Sequence, residues 1–477
     1  MQHGLRVLRP LDQELAERVR SGAASLTDAA TPDHQIRFFQ QQRATRSYFK
    51  IAERISRDSG HISVRVSSAL ELDDGSREFL MTASKVAGWS VQLEVGVVDG
   101  ALSHVPSREE QELLEALKLP KVSENADYVY QQAFEYINAG DAWTAQKLGT
   151  SLQEVEQSSR VWNLLALANA MLGQTLNAEH YYDRWSRSGD VMDFVRAKYG
   201  TAMLYARHHP SGLRDLETSA TLLDEAYDAL HQLNSGRRNG DDVIFDEVFN
   251  RNGYALILFR RGKVEESIRL LRWGIDTLSG TTENIAIHRT VLIYNLAQCF
   301  TQLEDFDSAL RTYEELIGVD PHMPEYRLEM AKCFARIGDL DAAIFQCNTA
   351  VESDETLAAA WAQLGVYEGR KGEHDKAVLA FRRAHSINPE SPVHLTNVVY
   401  NLILAGEHEK ALSEIVSWDI HSLAQPEVER RVSLAAEVFL SKNNVTKALA
   451  ILTQGLKLFP NSIYLAQNYD IIVSTKP

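Results

Sequence analysis

Three cysteines, fifteen scattered histidines and one basic stretch are the residues of this chain with the most chemistry to offer. Cys299, Cys333 and Cys347 lack zinc-ligand spacing and cannot build a disulfide framework. Cys299 and Cys333 stand one 34-residue step apart, which suits small buried packing residues better than nucleophiles. No two histidines have the i, i+4 spacing that puts a metal-binding pair on one helix face. The adjacent pair His208-His209 precedes Pro210 at an expected helix end and reads as structural or exposed. There is no P-loop, no H-E-x-x-H, no G-x-S-x-G and no glycine-rich dinucleotide fingerprint. No catalytic, cofactor or metal residue is therefore nominated, and the expectation is a protein that is not an enzyme.

The basic stretch, residues 34–58, carries Arg37, Arg43, Arg46, Lys50, Arg54 and Arg57. It reads as a helix with Phe38, Phe39, Tyr48, Phe49, Ile51, Ala52 and Ile55 on one face. Glu53 and Asp58 are interleaved, so a solvated face outranks contact with nucleic acid or another acidic partner. The net charge of −16 also opposes general binding to a nucleic-acid backbone. Apolar content of 44% and charged content of 24% fit a globular protein. No apolar run reaches the roughly 18 residues of a membrane span, and the first residues lack the apolar core of a secretory signal. The expected location is cytoplasmic. A lone sequon, Asn444-Val445-Thr446, then carries little weight.

The elements that organise the chain are clearest at residues 358–391. Counting from Ala358, the window has Trp361 at position 4, Leu364 and Gly365 at 7 and 8, and Gly372 at 15. Ala377 follows at 20, Phe381 at 24, Ala384 at 27 and Pro389 at 32. Two short amphipathic helices joined by a tight turn fit this spacing. The small residues mark where the helices cross, Gly372 serves the turn, and Pro389 ends the second helix. The pattern closely resembles the tetratricopeptide repeat, except that Glu368 takes the place of an aromatic residue, with Tyr367 beside it.

The same period recovers units starting at Pro324, Thr290, Val248, Ser159 and Ala126, and two more units after residue 391. Arg327 occupies the tryptophan position of the unit at Pro324. About eight extra residues around 281–288 separate two units and are expected to extend a helix. The expected fold is mainly α: a right-handed α-solenoid of about eight helix pairs over 121–477. It includes an irregular pair at 193–245 and a capping helix at 461–475. Residues 1–120 lack the period and read as a small α+β module. There, 61–71 and 90–98 alternate like strands, and 78–85 is a plausible middle strand of an antiparallel meander. Residues 108–118 read as a helix opened by a capping box at Ser107 and Glu110. Residues 290–355 also resemble, more locally, the paired repeats of type III secretion translocator chaperones. The likeness rests on A-x-C-F in the first helix and G-D-x-x-x-A at the turn.

The tetratricopeptide resemblance implies that the first helix of each pair lines an inner face. Carried over by position, it selects Asn252, Arg260, Asn295, Gln298, Gln302, Lys332, Arg336, Gln363, Arg370, Asn397 and Tyr400. Side-chain amides can bond both the N–H and the C=O of an extended peptide. Arg260, Arg336 and Arg370 share position 13 and suit carboxylates or a phosphate on a partner. Glu325 and Glu329 stand where the family's clamp for acidic C-terminal peptides has cations, so that clamp is not expected. The leading expectation is a scaffold or chaperone that holds a segment of a protein partner in the groove. The alternatives are a regulatory protein whose basic N-terminal helix contacts nucleic acid, and an enzyme with its site in residues 1–120.

Overall fold

The structure is a computed structural model that describes residues 48–49, 51–53, 55–57, 60–66, 74–93, 125–138, 141–233, 240–279, 288–388, 391–417 and 425–474. The chain divides into two compact units, Met1–Tyr326 and Arg327–Pro477. Its fold class is mainly α, a solenoid of helix pairs. No helix among the described residues is long and apolar enough to cross a membrane.

After helical residues among 48–57, the first unit has strand β1 (Ser63–Val66), helix α1 (Asp74–Val86) and strand β2 (Ser90–Leu93). The strands pair in parallel, Ser63 opposite Ser90 and Val66 opposite Leu93. This corrects the expected antiparallel meander, because residues 78–85 lie in α1 and not in a strand. The reason is periodicity: Phe79, Leu80 and Ala83 fall at helical spacing and are all buried. Parallel strands need a crossover, and α1 supplies it. The described residues among 48–57 are helical and cover this small core. Phe79 meets Tyr48 and Trp89 edge to face at 5.8 and 5.7 Å, and Trp89 Nε1 donates to Ser56 Oγ at 2.7 Å. Arg57 lies 3.8 Å from Glu53, and the other cations of the basic stretch fall outside the described side chains, as does the helix expected at 108–118.

Helix pairs follow. Helices α2 (Ala126–Asn138), α3 (Ala142–Val155), α4 (Ser159–Met171) and α5 (Thr175–Ser186) stack in chain order. Ala133, Tyr136, Leu148, Leu152, Leu164 and Leu165 join the first three in one core. Then α6 (Val191–Met203) runs into a π turn (Leu204–His208), and α7 (Leu216–His231) follows. Next come α8 (Asp241–Arg260), α9 (Val264–Leu278), α10 (Arg289–Gln302) and α11 (Phe306–Val319). Helix α8 begins at Asp241, about two turns before the Val248 start read from the repeat. The extra residues expected at 281–288 lie outside the described residues, except His288.

Helix α12 (Pro324–Ile337) carries the division between the units at Tyr326/Arg327. The second unit continues through α13 (Leu340–Ser353), α14 (Ala358–Lys371), α15 (His374–Ile387), α16 (Pro392–Leu404) and α17 (His408–Ser417). It ends with α18 (Gln425–Ser441), α19 (Val445–Leu458) and α20 (Ile463–Ser474). Leu364, Ala377, Phe381 and Ala384 are buried as the repeat requires. Trp361 is only half-buried, and its Nε1 donates to the Glu355 carbonyl at 2.8 Å. Tyr367, one place before Glu368, fills the interior in place of the missing aromatic. Helix α20 buries Leu465 and Ile472 but leaves Ile463 and Ile471 largely exposed, so its outer face is not the polar one of an ideal cap.

The turns explain why the pairs form. The fifteenth position has positive φ in both units: 88° at Gly372, and 58° and 56° at Glu304 and Asn443, where no glycine is present. The next residue opens the second helix. Asp141, Asp305, Asp339 and Asn444 each accept the backbone N–H three residues on, at 2.9–3.1 Å. These bonds satisfy donors that the first helical turn leaves open. The asparagine of the lone sequon is therefore a helix cap.

Candidate functional site

In the first unit, the selected residues lie on α8, α10 and their ends. Asn295 Nδ2 donates to Asn252 Oδ1 at 2.9 Å, joining the first helices of consecutive pairs. This bond leaves the NH2 of Asn252 and the C=O of Asn295 without a partner among the described residues. A donor and an acceptor therefore stand side by side on half-buried side chains. Gln298 Nε2 donates to the Tyr313 hydroxyl at 2.6 Å, and Gln302 is exposed. Arg260, at the end of α8, donates from Nη1 to the Ala206 carbonyl.

In the second unit, Lys332 pairs with Glu329 at 2.6 Å, and Arg336 is exposed. Gln363 is half-buried, and its Oε1 is shielded from water without a hydrogen-bond partner. Arg370 Nη2 donates to the Ala335 carbonyl at 3.3 Å. Ala335 lies in the last turn of α12, where carbonyls lack intrahelical partners. Asn397 is half-buried and Tyr400 is 45% exposed. Arg260 thus belongs to one unit, and Arg336 and Arg370 to the other. Arg260 and Arg370 each spend a donor on a carbonyl of the preceding pair, a role that repeat position alone does not reveal.

The degenerate repeat position at Arg327 has a local explanation. The side chain is half-buried, donates from Nη1 to Gln346 Oε1 at 3.1 Å, and is lowered in pKa by that burial. All three cysteines are buried free thiols. Burial pushes Cys347 up to about 12 and raises Cys299 as well, against a weaker opposing contact with Ser267. Such thiols are poor nucleophiles. Among the described residues, no His, Cys, Asp and Glu side chains are grouped as a metal ion would need. Sequence reasoning missed Arg207 and Arg214, which bond the same short segment as Arg260. The density of basic residues in ARHHPSGLR is the only signal that points to them.

Paired helices of this period, packed through small residues and closed by a left-handed turn position, have the geometry of tetratricopeptide repeats. Residues 291–364 match one tetratricopeptide repeat family and residues 358–391 another. Residues 291–391 therefore carry tetratricopeptide repeats, and repeats of this kind bind protein partners. No curated protein matches it. Among solved structures, the C-terminal part of a repeat protein from Cytophaga hutchinsonii is 12% identical, covering 53% of this chain and 99% of that one at a TM-score of 0.40. A tetratricopeptide repeat protein from Parabacteroides merdae is 15% identical, covering 58% and 98% at 0.37. MamA is 23% identical, covering 36% and 91% at 0.32. Likenesses at these scores carry no argument about a ligand.

Proposed function

We propose that this protein is a non-enzymatic scaffold or chaperone that holds an extended segment of a protein partner against the inner faces of its repeats. The Asn252–Asn295 pair is the observation that carries this reading. A peptide backbone offers an N–H and a C=O, and the pair presents the matching acceptor and donor in a fixed geometry. Preorganisation matters here, because a side chain already held in place loses less freedom when a ligand arrives. The half-exposed Tyr400 offers a similar contact in the second unit. The free buried thiols suit a reducing compartment such as the cytoplasm.

The test selects peptides from a displayed library against the full chain and then compares affinities. Asn252→Ala/Asn295→Ala should weaken the selected peptides by at least about tenfold, roughly 1.4 kcal/mol, with an unchanged helical spectrum. Equal affinity for both proteins would remove this face from the reading.

A further inference from the structure

Three arginines of the first unit bond within one short segment, Ala206–His209, to which Arg207 itself belongs. Arg260 donates from Nη1 to the Ala206 carbonyl. Arg207 donates from Nε to His208 Nε2 at 3.0 Å, and Arg214 from Nε to the His209 carbonyl at 2.7 Å. The receiving segment is the end of the π turn Leu204–His208 together with His209. A π turn breaks the regular i→i−4 ladder, so its carbonyls are open to side chains. The segment is also anchored: His209 is buried, and its Nδ1 lies 2.9 Å from Thr175 Oγ1.

The three arginines are exposed, and no carboxylate among the described residues stands within ion-pair distance of them. The acids of adjoining residues are engaged elsewhere. Glu179 accepts from the Tyr205 hydroxyl at 2.7 Å and lies 3.5 Å from His209 Nε2. Asp215 caps α7, and Glu217 pairs with Arg261. Mutual repulsion adds to burial within this cluster. Desolvation, then Arg207 and Arg214, hold Arg260 below its ordinary value. Desolvation, then Arg207, Arg214, Arg260 and His209, push His208 down to about 4. A neutral His208 can accept the Arg207 N–H. In a chain of net charge −16, three cations with no ion-paired carboxylate among the described residues suit an anion.

We propose that Arg207, Arg214 and Arg260, gathered on the Ala206–His209 segment, form a receptor for an oxyanion, a carboxylate or phosphoryl group carried by a bound protein segment. Arg207 and Arg214 commit only Nε to the protein, so both of their Nη groups can grip oxygens in a forked geometry. The carrier of the anion rests on the proposed function; the site itself does not.

The test therefore uses the full chain and simple anions. Thermal melting is followed against inorganic phosphate and against acetate, with chloride holding the ionic strength constant. Wild type should gain a saturable rise in melting temperature, and Arg207→Gln/Arg214→Gln should lose at least about nine-tenths of it. Lys263→Gln/Arg269→Gln, which removes the same charge from α9 and the residue that precedes it, should keep it. A rise with phosphate alone assigns the site to phosphoryl groups, and a rise with both anions admits carboxylates; both outcomes support the receptor. No rise in wild type, or an equal rise in the Arg207/Arg214 variant, overturns it. Neither overturning result touches the peptide selection at Asn252 and Asn295.

Discussion

The Phe381 ring occupies the space that any side chain on Gly365 would need: a Cβ added there would lie 2.9 Å from it. Glycine at this position lets α14 and α15 close on each other, and Phe381 is 2% exposed as a result. Gly365→Ala is expected to cost about 1–3 kcal/mol by overpacking, read as a lower urea midpoint at constant slope. An unmoved midpoint would mean that the crossing of these helices is misplaced.

The buried phenylalanine, and not the repeat's signature tryptophan, should dominate this pair. Phe381→Ala is expected to cost about 3–5 kcal/mol. Trp361→Ala should cost less than that, because the ring is half-buried and its N–H ends at a surface carbonyl. Chemical denaturation of the two single variants settles the order. A larger loss at Trp361 would contradict the packing described.

Glu304 takes a turn conformation for which its side chain is poorly suited, with φ at 58°. Left-handed backbone costs a non-glycine residue roughly 1–2 kcal/mol, partly offset by the entropy that glycine loses on folding. Glu304→Gly is expected to stabilise the protein by about 0.5–1 kcal/mol. Gly372→Ala, with φ at 88° in the wild type, should destabilise it by about 1 kcal/mol. The pair of opposite shifts in melting temperature is the readout, and shifts of the same sign would refute the account.

Asp246 on α8 gives a pH dependence of definite sign. Burial raises its carboxyl to about 6, against the pull of Arg196, whose Nε donates to it at 2.8 Å; Asp242 adds a smaller upward push. The folded chain therefore keeps a proton that the unfolded chain releases near pH 4. This contribution to stability is complete below that pH and is lost as pH rises through about 6. Asp246→Asn should remove the slope, so wild type should fall by roughly 2–3 kcal/mol relative to the variant between pH 4 and 7. Urea midpoints at unit steps of pH provide the check; parallel curves would show that Asp246 titrates normally.

Local rules made much of the fold legible in the sequence. A 34-residue spacing of small and large apolar residues gives helix pairs, because each position faces the same neighbour in every unit. Gly372 and Phe381 show this directly: one takes the left-handed turn, and the other fills the crossing. The same reasoning failed at residues 78–85, a run short enough to read as a strand although Phe79, Leu80 and Ala83 keep helical spacing. Only the packing of Phe79 against Tyr48 and Trp89 decides between them.

The candidate site was legible by position but not by engagement. The sequence by itself determined that Asn252 and Asn295 share a face and that Arg260 ends a first helix. It also determined the surplus of acid, the absence of recognised catalytic motifs and the repeat that fixes each pair. Tertiary structure alone decided that the two amides bond each other, that Glu304 bears a left-handed turn, and that Arg207, Arg214 and Arg260 meet. The physical reason is range. Helix periodicity and turn chemistry act within a few residues, whereas Arg260 reaches a carbonyl 54 residues earlier, exposed by a π turn that no local pattern announces.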